Sequence, residues 1–147
     1  MKRFLVLLAA MALAVVGFAA PAQAANPHVV RGPDVSVSGN SLTITASIAG
    51  LGNVPSADFA LEGTVEVFSR CYNKGGNKPQ ADNKQETINV TEFGTFPVRN
   101  GRTNVSFTVS PLSPLSCPGK QVVVIESLTW DLTLSGEGLE IPIQGPA

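Results

Sequence analysis

A chain of 147 residues, with ten basic side chains dispersed against eleven acidic ones, carries no surface of the kind that binds nucleic acid. Its single histidine and two cysteines are too few to build a metal site, and no cofactor-binding motif accompanies them.

The chain opens with Met1-Lys2-Arg3, continues through an uncharged apolar run over residues 4–20, and reaches Pro21-Ala22-Gln23-Ala24. A basic start, an apolar middle and a small-x-small exit are the parts of an export signal. The expectation is a signal peptide over residues 1–24 and a single domain over residues 25–147. The 123 residues of that domain suffice to bury about two-thirds of the unfolded surface in one core. Losing Lys2 and Arg3 leaves eight basic against eleven acidic side chains, a net charge of −3. No cysteine stands near the cut to take a lipid, and residues 141–147 form no anchor tail. The expected product is secreted to the extracellular space without a membrane anchor.

Beyond residue 24, apolar residues recur at every second position in short runs, the period of half-buried strands. Val35 and Val37 alternate with Asp34, Ser36 and Ser38, Gly39-Asn40 turns the chain, and Leu42, Ile44, Ala46 and Ile48 follow with Thr43, Thr45 and Ser47 between them. This reads as a hairpin with one wet face. Residues 50–55 are turn chemistry. A third strand runs near residues 61–72, with Leu61, Val65, Val67 and Cys71 on one face and Glu62, Glu66, Phe68, Arg70 and Tyr72 on the other. Asn100-Gly101 accepts the two positive φ angles of a type I′ turn. Arg99 then faces Arg102, and continuing that ladder pairs Phe96 with Val105 and sets Gly94 opposite Phe107. Residues 121–135 form a further strand, and Leu139, Ile141 and Ile143 alternate in the last, where Pro142 lacks an N–H and so points to a sheet edge. The expected fold is an all-β, immunoglobulin-like β-sandwich of about seven strands with one disulfide, a small β-barrel being the alternative.

Cys71 and Cys117 both lie in the exported part, so in an oxidising compartment one bridge between them is expected. It closes a loop of about 47 residues, for which chain entropy gives roughly 4 kcal/mol as an upper figure.

Two carboxylates interrupt apolar rows. Glu126 breaks Val122, Val124, Leu128, Trp130, Leu132 and Leu134, and Glu92 breaks Ile88, Val90, Phe96 and Val98. A glycosidase would use such a pair; a β-bulge at each, switching the face, avoids the cost of a lone buried charge and is the expectation. Trp130 shares parity with the surrounding leucines and is expected in the core, near the disulfide. Phe68 and Tyr72 are the candidate exposed aromatics. Arg99 and Arg102 set like charges across a strand pair, which an anion would relieve.

Residues 73–86 have no large apolar side chain and carry Asn-Lys three times, at Asn73-Lys74, Asn77-Lys78 and Asn83-Lys84. A loop of that length in a compact domain is functional or disordered. The disulfide would staple its base to residues 111–119, so these six residues form the candidate binding loop.

Cys71-Tyr-Asn-Lys-Gly-Gly-Asn-Lys-Pro79, Gly94-Thr-Phe-Pro-Val-Arg-Asn-Gly-Arg102 and Ser116-Cys-Pro-Gly-Lys120 together resemble a group of small secreted actinobacterial proteins. The resemblance implies export and a disulfide-closed β fold, and transfers no catalytic or ligand residue. Secreted antitumour-antibiotic carrier proteins are similar at the level of fold alone, without their extra cysteines.

The leading functional expectation is a non-enzymatic binding or interaction module that takes an extracellular protein, glycan or small molecule and needs no cofactor. A cell-wall or polysaccharide hydrolase using Glu92 and Glu126, and a structural envelope component, are the alternatives. Amino-terminal sequencing of protein recovered from the culture medium is expected to begin at Ala25; a product still starting at Met1 would remove the export assignment.

Overall fold

The computed structural model describes residues 25–73, 75 and 83–146; the expected signal peptide and Lys74, Asn77 and Lys78 lie outside the described residues. Alternating apolar residues become seven strands, β1 (His28–Ser38), β2 (Ser41–Ala49), β3 (Ser56–Tyr72), β4 (Asn83–Pro97), β5 (Arg102–Val109), β6 (Val122–Gly136) and β7 (Leu139–Gly145). They form two antiparallel sheets, ordered β1-β2-β5 and β4-β3-β6-β7. Each sheet ends in edge strands, so the barrel alternative does not apply, and β7 with its Pro142 occupies an edge as expected.

The period of two decides what is buried. Leu42, Ile44, Ala46 and Ile48 of β2 face in, while Thr43 meets Thr108 across the outer face with hydroxyls 3.2 Å apart. Opposite them, Ala57, Phe59, Leu61, Val65, Val67, Ser69 and Cys71 are all buried along β3. The two inner faces, with Val105, Phe107 and Val109 of β5 and Leu132 and Leu134 of β6, form one core. Each fully buried aliphatic side chain contributes about 1.5–3 kcal/mol. The third strand begins at Ser56, earlier than residue 61, because Ala57 and Phe59 continue the inward row.

The turn at Asn100-Gly101 has φ of 53° and 70°, and Arg99 and Arg102 exchange two backbone hydrogen bonds of 2.8 and 3.0 Å. The ladder expected beyond them does not form. Phe96 pairs with Ala57 in one sheet, and Val105 with Ala46 in the other. The chain crosses between sheets here, and Val98 donates to the Pro55 carbonyl at 3.0 Å instead of to β5. Gly94 nonetheless lies against Phe107, across the core: a Cβ there would stand 2.8 Å from the Phe96 ring and 3.3 Å from the Phe107 ring. Phe96 and Phe107 pack edge to face at 5.4 Å in the space that Gly94 leaves.

Of the two expected bulges, one exists. β6 shifts register on β3 between Ser127, opposite Phe68, and Ile125, opposite Ser69, so Glu126 is the extra residue. β4 runs along β3 without a shift, and Glu92 pairs with Leu61 on the inner row. It is exposed all the same, because β4 is an edge strand of the wider sheet and the three-stranded sheet leaves this position uncovered.

Cys71 and Cys117 are bridged, with Cα atoms 5.6 Å apart, and no described cysteine is free. Trp130 joins the core as expected but pairs with Val65, six residues along β3 from Cys71, so it is not beside the disulfide. Replacing both cysteines by serine is expected to cost about 2–4 kcal/mol in reversible denaturant unfolding; a double variant as stable as the parent would show that the bridge does not constrain the unfolded chain.

Candidate functional site

One end of the sandwich is built around the disulfide, and its organiser is the turn between β1 and β2. Asn40 accepts from the Ser113 amide at 2.7 Å through Oδ1, donates to the Ser113 carbonyl at 3.1 Å through Nδ2, and its backbone carbonyl accepts from Leu112 N at 3.0 Å. These bonds draw the segment after β5 under the core, where Leu112 is fully buried. The Ser113 hydroxyl meets the buried Ser69 hydroxyl at 2.7 Å, two residues from Cys71 on β3. Thus β2, β3 and the Cys117 segment are tied together twice, by hydrogen bonds and by the bridge. Sequence reading took Gly39-Asn40 as a turn only; a side-chain amide matched to a segment 73 residues away leaves no local signal.

On the outer face beside the bridge, Phe68, Arg70 and Tyr72 alternate with the buried Val67, Ser69 and Cys71, and both aromatics are half-buried. The Arg70 guanidinium covers the Phe68 ring, 4.9 Å from its centroid. Tyr72 donates its phenol hydrogen to Glu126. Arg70 Nε lies 3.1 Å from Glu126 Oε2, yet its N–H is not aligned on that oxygen, so the pair is an ion contact and not a hydrogen bond. The bulge therefore turns Glu126 outward to charged and phenolic partners on β3.

This geometry removes the carboxylate pair as a hydrolytic site. Glu92 pairs with Leu61 on the inner row of β4, and Glu126 stands next to the position opposite Phe68 on the outer face of β6. Seven residues of β3 between those positions span about 23 Å at ~3.3 Å per residue. A shared cavity needs carboxyls about 5–10 Å apart.

The candidate binding loop is shorter than its sequence suggests. Asn83 and Lys84 belong to β4, opposite Arg70 and Ser69, and Lys84 approaches Glu86 at 3.5 Å. Asn73 follows β3 directly and is exposed.

A feature that sequence reading missed lies along β6. β7 pairs with it only from Trp130 to Gly136, whereas β3 follows it from Val122. Over residues 122–129 the other edge of β6 has no strand neighbour among the described residues. Val122, Val123 and Val124 there are 47%, 36% and 38% exposed. A groove of about 540 Å³ runs beside this half-edge, walled by Val37, Gly39, Leu128, Trp130 and Pro146. The Trp130 ring lies over Gly145, where a Cβ would enter the indole, and its buried N–H finds no acceptor among the described residues. The sequence did hold a clue: Val122 to Ile125 are four consecutive apolar residues, a run that does not alternate.

No protein-family model and no curated protein sequence matches the chain. The solved structure of Spo0M, a sporulation control protein from Bacillus subtilis, aligns with 82% of this chain and 46% of its own at 16% identity, with a TM-score of 0.31. At that score the likeness carries no argument. The chain spans less than half of that protein's length. Among the described residues no helix is long and apolar enough to cross a membrane, and no cluster of three or more His, Cys, Asp or Glu could hold a metal ion.

Asn40→Ala removes two hydrogen bonds that seat the Cys117 segment, and is expected to destabilise the oxidised protein by about 1–3 kcal/mol in denaturant unfolding. An unchanged midpoint would show that the disulfide alone holds this end.

Proposed function

We propose that this protein is an exported, non-enzymatic interaction module that binds by strand addition to the open half of β6. The observation that carries the reading is the mismatch between β6 and β7, which leaves residues 122–129 paired on one side only, with three exposed valines beside an apolar groove. An unpaired edge offers backbone N–H and C=O groups to another strand, and natural domains blunt such edges unless they use them. Here the bulge at Glu126 blunts one end, and Val122 to Ile125 stay flat and apolar.

The partner that fits is a second copy. In a two-fold antiparallel pairing centred on Val123, Val122 of one copy meets Val124 of the other. That register is self-complementary, as a closed dimer requires. Export is supported by the leader over residues 1–24 and by the disulfide, which suits an oxidising compartment. An immunoglobulin-like classification is supported by the strand order, with β4 in the sheet of β3, β6 and β7, where variable-type domains carry an added strand beside the third.

Sedimentation equilibrium of the oxidised protein over micromolar to millimolar concentrations is expected to reveal a monomer–dimer equilibrium. Val123→Lys, a change at a position already 36% exposed in one copy, should leave only monomer. A parent protein monomeric throughout the range would falsify the reading.

A further inference from the structure

The end of the sandwich opposite the disulfide carries a separate feature. The turn at Asn100-Gly101 holds Arg99 and Arg102 directly across from each other, bonded backbone to backbone. On the neighbouring edge strand, β1 loses regular register at Val29, Arg31 and Asp34 around Gly32, whose φ of +83° brings it so close to β2 that a Cβ would stand 2.7 Å from the Thr45 carbonyl oxygen. That irregularity sets Arg31 opposite Ser47. All three arginines line one cavity of about 540 Å³, with Val30 and Pro97 in its wall.

Beyond residue 24 the sequence has four arginines and a net charge of −3, yet three of the four converge here. Among the described residues Arg99 and Arg102 make no ion pair. Arg31 reaches Asp34 only at 3.8 Å, with both side chains mostly exposed, a contact that water screens and that neutralises little. Among the described residues no carboxylate lines the cavity, and Asp34 lies in the groove next to it. Asn104, in the same wall, accepts from the Ser47 hydroxyl at 2.7 Å through Oδ1, and its NH₂ group has no acceptor among the described residues.

We infer that this cavity binds a phosphorylated small molecule, with the phosphate held by Arg31, Arg99 and Arg102. Guanidinium groups take phosphate oxygens in bidentate pairs, and three of them answer a multiply charged oxyanion better than a single carboxylate. The anion also relieves the repulsion of like charges set directly across a strand pair. A bare ion leaves most of the cavity empty, since about 300–1,000 Å³ is the usual size of a site for a small organic ligand. The remainder of the ligand rests on the exposed Val30 and Pro97.

The inference is independent of strand addition at β6, because it concerns the other end of the molecule. The test is an amide NMR titration of the oxidised protein at constant ionic strength, with inorganic phosphate, glucose 6-phosphate and glucose as probes. Glucose 6-phosphate should move the amides of Arg31, Ser47 and residues 99–104 and bind at least tenfold more tightly than inorganic phosphate, while glucose alone should move nothing. Arg99→Gln with Arg102→Gln should weaken that binding tenfold or more, and Lys84→Gln should leave it unchanged. The backbone bridge between residues 99 and 102 does not use the replaced side chains, so the double variant keeps the fold, which its amide spectrum will show. Saturation by neither phosphate probe, shifts spread evenly over Lys84 and Lys120, or undiminished binding by the double arginine variant would overturn the site. Equal affinity for inorganic phosphate and the sugar phosphate would overturn the assignment of an organic ligand.

Discussion

The structure depends on β3. Its 17 residues pair with β4 along one side and with β6 along the other, and its inward row runs from Ala57 to Cys71. A slip of one residue would carry that whole row to solvent and draw Glu62, Glu66 and Arg70 inside, so register is strongly specified. With β3 set, the outer row of Phe68, Arg70 and Tyr72 is set too. The bulge that ejects Glu126 then meets Arg70 and Tyr72, and Cys71 meets the returning chain at Cys117. One strand thus determines the core, the polar cluster and the staple.

Unequal strand lengths follow from the same arrangement. β3 is long enough to support two long neighbours, but β7 covers only seven residues of β6. The surplus of β6 stays unpaired on one side, close to the disulfide and to the segment that Asn40 clamps. A stapled, hydrogen-bonded segment and a strand edge paired on one side only thus occur together at this end.

At the opposite end the constraint is electrostatic. A two-residue turn forces Arg99 and Arg102 to face each other, and a distorted stretch of β1 adds Arg31. The chain tolerates three like charges there because all three side chains are exposed, where a high dielectric weakens their repulsion. The two ends therefore differ in chemistry, one apolar and strand-like, the other cationic and concave.

Local periodicity and turn chemistry determined a good deal. Alternation made β2, β3 and β7 legible, Gly39-Asn40 and Asn100-Gly101 announced their turns, Pro142 announced an edge, and an even cysteine count named the bridge. Glu126 was readable as a bulge because a charge in an apolar row has few inexpensive outcomes. The same reasoning misled at Glu92, since an edge strand can carry a charge on its inner row without a bulge, and alternation does not say which strand lies at an edge. It also misled at Phe96 and Gly94, because a tight turn fixes the residues beside it and not the sheet to which each flank belongs. The open half of β6, the clamp between Asn40 and Ser113, and the meeting of Arg31 with Arg99 and Arg102 were decided by tertiary structure alone. Each depends on which strands become neighbours, and that choice is made by burying two apolar faces against each other, a long-range balance that a local pattern does not encode.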